Sequence, residues 1–214
     1  FPYTTLFRSE LIIGSRTCEA GKIIIDGQDV TQWSPNKRKH IGIAYIPSDR
    51  LKNGALPNFS ILENMLLGYH DDSHYNYHGF ILFKNLEYDC YQRLSDYEVK
   101  FSSLRTPFST LSGGNQQKII LAREVEKPIK LVLAAQPIRG LDISAIEYIH
   151  KVLVRIRSEG KAILLISAEL SELMNMSDRI VVLHDGIITG EFKKHEFSED
   201  EIGLCMMGRI KEKS

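Results

Sequence analysis

Apolar residues recur along this chain with two different periods. In residues 21–30, GKIIIDGQDV, a β-branched run leads into Asp26-Gly27, a dipeptide suited to the positive φ of a tight turn. A strand and hairpin are predicted there, and a further strand over residues 41–46. After Pro57, Ile61, Leu62, Met65 and Leu66 recur at helical spacing, and polar aromatics then crowd DDSHYNYHGF at 71–80. Residues 57 to about 107 therefore read as a helical insertion with a loop inside. From Leu111 onward the two periods alternate. Ile119, Ala122 and Val125 mark a helix over 115–125, and residues 130–135 form a continuous buried-type strand. Ile146, Ile149, Leu153 and Ile156 mark a helix over 144–158 that Gly160 closes, before a strand over 162–167. Two strands joined by Asp185-Gly186 then form a hairpin over 179–192. Alternation of strand and helix predicts an α/β domain with a mainly parallel sheet.

Composition adds limits. The 214 residues are 43% hydrophobic and 25% charged, enough for one large folded domain with its own core. Twenty-seven basic and 27 acidic residues cancel, so no net cationic field holds a nucleic-acid backbone. Cys18, Cys90 and Cys205 lie far apart without a CxxC pair, which points to a reducing compartment and no zinc site. The longest apolar runs, such as 163–166 and 131–135, fall far below the ~18 residues that span a bilayer, which places the chain beside any membrane it serves. Residues 1–9, FPYTTLFRS, show no signal-peptide pattern and resemble the translation of a sequencing adapter. They are read as an artefact preceding a domain entered part-way, over 10–208, with 209–214 as a C-terminal tail whose charged KEKS end is frayed.

The candidate chemistry lies at 111–118, LSGGNQQK, just before an amphipathic helix and about twenty residues ahead of a buried strand. A helix start offers unpaired N–H groups and the positive end of the macrodipole, an arrangement that favours phosphate. Two glycines allow close backbone approach and Ser112 adds a hydroxyl. On these residues alone, a simple N-cap by Ser112 or Asn115 is the competing reading. His70, His74 and His78 recur every four residues, but Asp71, Asp72, Ser73 and Gly79 between them favour a solvated loop over a metal-binding helix face. Lys37, Arg38, Lys39 and His40 read as a solvated turn before the strand at 41–46.

From LSGGNQQK through LAREV, LVLAAQPIRGLD and AILLISAEL the chain resembles the ATP-binding subunits of ABC transporters. It is most similar to the second nucleotide-binding domain of tandem sugar and nucleoside importers, and the AAQP form resembles the nucleoside branch. The resemblance implies a P-loop NTPase core with a mainly parallel sheet, a small antiparallel β subdomain and a helical subdomain at about 57–108. It also implies ATP and Mg2+ as cofactors, with each ATP sandwiched between two domains. One domain supplies the P-loop, metal carboxylate and base, and the other an LSGGQ-like signature.

Here a P-loop is absent, and the Asp-Glu expected at the end of the 130–135 strand is Ala135-Gln136. The switch histidine is matched by Ala168 and the Q-loop glutamine by Ser48. Alanine cannot ligate a hard cation and glutamine cannot accept a proton from water, so the domain's own site reads as degenerate. The signature, Ser112, Gly113, Gly114, Asn115 and Gln116, is intact, as is the D-loop-like Gly140-Leu141-Asp142. By the resemblance these serve the ATP of a partner, the first domain of the same polypeptide or a second copy. It further implies permease subunits, an external solute-binding lipoprotein, and a place on the cytoplasmic face of a bacterial membrane. Two other readings compete. A non-transport ABC ATPase of DNA repair or translation would carry a coiled coil or basic linker in place of the short insertion, and an inert fragment would couple to nothing.

Overall fold

The structure, a computed structural model, describes residues 9–211. Residues 9–13 are helical (α1), and Ser9, assigned above to the adapter-like stretch, is buried; the rest of that assignment lies outside the described residues. Strands β1 (Ile24–Ile25) and β2 (Gln28–Asp29) pair antiparallel around Asp26 at φ 52° and Gly27 at φ 76°, the hairpin that Asp-Gly predicts. Helix α2 (Pro35–His40) follows, started by the Ser34 side chain accepting from the Lys37 amide and by a proline in the first turn. Strand β3 (Ile43–Ile46) then enters the main sheet.

The predicted solvated turn at 37–40 is thus corrected to a helix, and one of its cations is buried. Arg38 is 2% exposed, and its guanidinium donates to the carbonyls of Leu11, Ile12, Thr31 and Trp33. These four charge-assisted bonds tie α1, the loop after β2 and α2 together. Arg38→Met should destabilise the chain by about 3 kcal/mol through the loss of these four charge-assisted bonds. Urea unfolding checks it, and a loss below about 1 kcal/mol would contradict the role.

The insertion contains α3 (Ile61–Leu66), a small hairpin of β4 (Asn76–Tyr77) and β5 (Phe80–Ile81), and α4 (Phe83–Asp96). A capping box starts α3: the Ser60 hydroxyl accepts from the Glu63 amide while Glu63 accepts from the Ser60 amide. The expected loop at 71–80 is in part a hairpin, turned by His78 at φ 48° and Gly79 at φ 90°. Its aromatics divide. Tyr75 is buried and donates to Asp89, while Arg93 donates to the Tyr75 oxygen; Tyr77 and Phe80 are exposed. His74 bonds Asp89 at 3.0 Å and His78 occupies the turn, so the three histidines do not share a helix face.

Helix α5 (Gly113–Val125) returns the chain to the core, followed by β6 (Leu131–Ala135), α6 (Ile143–Ser158) and β7 (Ala162–Ile166). The sheet order is β3-β6-β7, all parallel, so each connection crosses over through helices. Register places Ile46 beside Ala134 and Ala135 beside Ile166, which aligns the carboxyl ends of all three strands. Ile119, Ile120, Leu121 and Ala122 are all fully buried, because α5 lies between the sheet and the insertion. Helix α7 (Leu170–Met176), the antiparallel pair β8 (Arg179–His184) and β9 (Ile187–Lys193), and α8 (Glu199–Met206) complete the fold. They enclose a second small core of Ile180, Val182, Phe192, Ile202 and Cys205.

The insertion is fastened to the core by polar groups as well. Arg123 of α5 donates to the carbonyls of Gly54 at 2.8 Å and Asn64 at 3.2 Å and to Glu124 at 2.8 Å. Glu124, 6% exposed, also meets Lys39 of α2 at 3.4 Å. One buried ion group therefore joins four segments of chain.

Candidate functional site

Two loops meet at the start of α5. Ser112, at φ −60° and ψ 151°, is its N-cap, and its hydroxyl accepts from the Asn115 amide. The Asn115 side chain donates to the same oxygen at 3.0 Å and accepts from the Lys100 amide at 2.9 Å, which anchors the preceding loop. The capping reading is therefore met at Ser112. Ser112 caps the helix, and the first amides, those of Gly113 and Gly114, are left without an intrahelical acceptor.

Both glycines lie in close quarters. A Cβ at Gly114 would lie 3.0 Å from that of Ala145 on α6, and one at Gly113 would lie 2.6 Å from Nη2 of Arg50 and 3.6 Å from the Gly140 carbonyl oxygen. Gly140 itself adopts φ 68°. Asp142 is the N-cap of α6, accepting from the Ala145 amide at 2.9 Å and the Ser144 hydroxyl at 2.6 Å. Its carboxyl is held below the ordinary range, first by the Ser144 hydroxyl and then by the Ala145 amide. Signature and D-loop-like segments, thirty residues apart in sequence, thus lie side by side.

Gln116 behaves differently from the other four signature residues. It is 5% exposed, donates to the carbonyls of Phe108 and Leu111, and accepts from Nε of Arg50 at 3.2 Å. Both ends of its amide are engaged within the chain, so it shapes the loop before α5.

The remaining named positions cluster at the carboxyl ends of the parallel strands, where ligands bind in open α/β sheets. Ser48 lies two residues past β3, Ala135 ends β6 with no exposure, Gln136 follows it, and Ala168 lies two residues past β7. Gln136 sits at φ 49°, and its amide donates to the Ile166 carbonyl, so the backbone turn at this position joins β6 to β7. None of these four side chains carries a carboxylate or a titratable base. The nearest acids in sequence are Asp49, which caps the turn after β3 by accepting from the Lys52 amide, and Glu169, exposed at the start of α7.

Sequence reasoning missed Arg50, whose guanidinium bonds Gln116 and the Arg139 carbonyl. Its partners lie 66 and 89 residues away, a separation that no local pattern encodes. It also missed the Arg123–Glu124 group, which falls inside a helical stretch read for its apolar positions alone.

A sequence model of the family described as ABC transporter matches residues 4–139. The chain belongs to the ABC transporter ATP-binding family. The guanosine import ATP-binding protein NupO of Bacillus subtilis is 40% identical over 93% of this chain and 39% of its own length. The nucleoside import ATP-binding protein NupA of Lactococcus lactis is 36% identical over 92% of this chain and 39% of its own length. The chain thus spans about 39% of the length of these relatives. A dimeric ATP-binding cassette, MJ0796, in a post-hydrolysis state with ADP and phosphate, superposes with a TM-score of 0.71 at 22% identity. That superposition covers 91% of this chain and 81% of the cassette and establishes the ABC ATPase fold. Among the described residues no helix is long and apolar enough to cross a membrane.

Proposed function

We propose that this chain is the second nucleotide-binding domain of a tandem ABC importer, working at the cytoplasmic face of a bacterial membrane to energise uptake of nucleosides. Sugars are the wider class, since the ribose import protein RbsA 2 of Rubrobacter xylanophilus is 34% identical over 94% of this chain. Nucleosides are preferred because NupO and NupA carry the higher identities of 40% and 36%. The observation that carries the reading is the contrast between two places on one domain. Ser112, Gly113, Gly114 and Asn115 stand beside Gly140 and Asp142 in a geometry able to receive a phosphate. The strand ends hold Ala135, Gln136, Ala168 and Ser48, a set without a carboxylate or a titratable base.

The division of labour follows. Mg2+ and the attacking water belong to the partner domain, which holds the ATP through its own P-loop and carboxylates. This chain donates the signature amides and the Ser112 hydroxyl, preorganised donors that stabilise charge on the transferred phosphoryl group. The exposed Tyr77 and Phe80 tip of the insertion is the surface for the permease, and the external lipoprotein acts through that permease.

The 214-residue chain alone should hydrolyse ATP at the uncatalysed background rate. The check is phosphate release across a size-exclusion profile, with Ser112→Arg as a control. Mg2+-dependent turnover that follows the protein peak and disappears in the control would overturn the degenerate-site reading.

A further inference from the structure

The geometry points to Arg50 as a positioning residue that holds the signature and the 139–142 loop in a single arrangement. Three observations converge on its guanidinium. Nε donates to Gln116 Oε1 at 3.2 Å, Nη1 donates to the Arg139 carbonyl at 3.0 Å, and Nη2 occupies the space beside Gly113, 2.6 Å from where a Cβ would stand. Gln116 passes the constraint onward, since its Nε2 donates to the carbonyls of Phe108 and Leu111 that fix the approach to Ser112. The planar fork thus reaches both segments that must present themselves together. An ammonium, a single point of charge on a flexible stem, cannot reproduce two divergent bonds of fixed direction.

The location is electrostatically unexpected. A cation is disfavoured at the positive end of a helix, and α5 starts at Gly113. Among the described residues no carboxylate lies within ion-pair distance of Arg50 to offset that cost. Its acceptors are a neutral amide and a carbonyl. Arg50 is therefore placed against the local field by the bonds it makes across elements, as a positioning role requires. It also opens the helical turn Arg50–Gly54 that follows β3, so the segment carrying Ser48 and the signature are linked through one side chain. This inference rests on the reading that the signature meets a partner's nucleotide, and it adds the residue that keeps the signature aligned.

Two measurements test it. Hydrogen exchange on the 214-residue chain compares wild type with Arg50→Ala and Arg50→Lys. Exchange should quicken by about tenfold at both Asn115–Gln116 and Leu141 in each variant, with the β6 amides unchanged. Unchanged exchange, or quickening in only one of the two segments, would overturn the clamp whatever the function. In the complete importer, Arg50→Ala should lower kcat by about tenfold or more while leaving KM for ATP within about twofold, because the partner holds the nucleotide. Adding Gln116→Ala should cost less than the sum of the two single changes, since the two share the Arg50–Gln116 bond although Gln116 also holds Phe108 and Leu111. Gly113→Trp serves as the reference. If it stops turnover while Arg50→Ala does not lower kcat, the Arg50 role fails and the signature reading stands. If Gly113→Trp itself leaves turnover intact, the signature reading fails, and the exchange experiment alone decides whether Arg50 is a clamp.

Discussion

Replacing Gly113 with tryptophan in the complete importer is expected to lower ATP turnover by about 10²–10³, although no residue at this domain's strand ends is touched. Even a single methyl group at this position would meet Nη2 of Arg50 at 2.6 Å, and the Gly140 carbonyl oxygen lies 3.6 Å away. The guanidinium can swing aside for alanine, so Gly113→Ala should be the milder variant. An indole must displace the arginine and the 139–142 loop together, and it covers the amides of Gly113 and Gly114. Losing a preorganised donor near developing charge costs about 2.7–4 kcal/mol of barrier, which is the stated rate loss. Ser112 still caps α5 through the Asn115 amide, so the fold should persist, and circular dichroism together with steady-state turnover separates the two effects.

The second large effect concerns stability. Arg123→Ala should destabilise the chain by about 3–5 kcal/mol, because it leaves Glu124 buried beside only one cation and removes the side-chain donor from the Gly54 and Asn64 carbonyls, of which Asn64 keeps the Leu67 amide. The same group sets an acid dependence. Burial by itself would push the Glu124 carboxyl up, but Arg123 at 2.8 Å and Lys39 at 3.4 Å outweigh it and hold the carboxyl below its usual range. A depressed folded-state pKa contributes stability that is present above the unfolded value, about 4.3, and is lost as pH falls through the folded one. Glu124→Gln should therefore flatten the loss of stability below about pH 4. Urea midpoints between pH 7 and 3 measure both changes; an Arg123→Ala cost under about 1 kcal/mol would remove the ion group from the account.

The sequence revealed features whose cause is local. Asp26-Gly27 supplied the hairpin, the all-apolar LVLAA supplied the central strand, and the Ser112-Gly113-Gly114 start supplied the cap and the close approach. Strand alternation predicted the parallel sheet, and the sheet in turn explains why Ser48, Gln136 and Ala168, far apart in the chain, follow aligned strand ends. What escaped was long-range polar pairing. Arg38 looked like one charge in a basic run because its four carbonyl partners are backbone atoms that no residue type announces. Tyr75 looked like its exposed neighbours because the Asp89 and Arg93 that hold it inward lie on the following helix. Arg50 stayed hidden for the same reason.

The asymmetry between the two ATP sites is the central claim, and steady-state ATPase of the complete importer in reconstituted membranes tests it most directly. Two variants are compared with wild type: Gly113→Trp, and the double change Ala135→Asp with Gln136→Glu. The account predicts near-complete loss of nucleoside-stimulated turnover in the first and little gain in the second, because Ala168 and Ser48 still leave that rim without its remaining groups. Near-normal turnover in Gly113→Trp together with a severalfold rise in the restored-carboxylate variant would show that the working site is this domain's own, and would invert the assignment of roles.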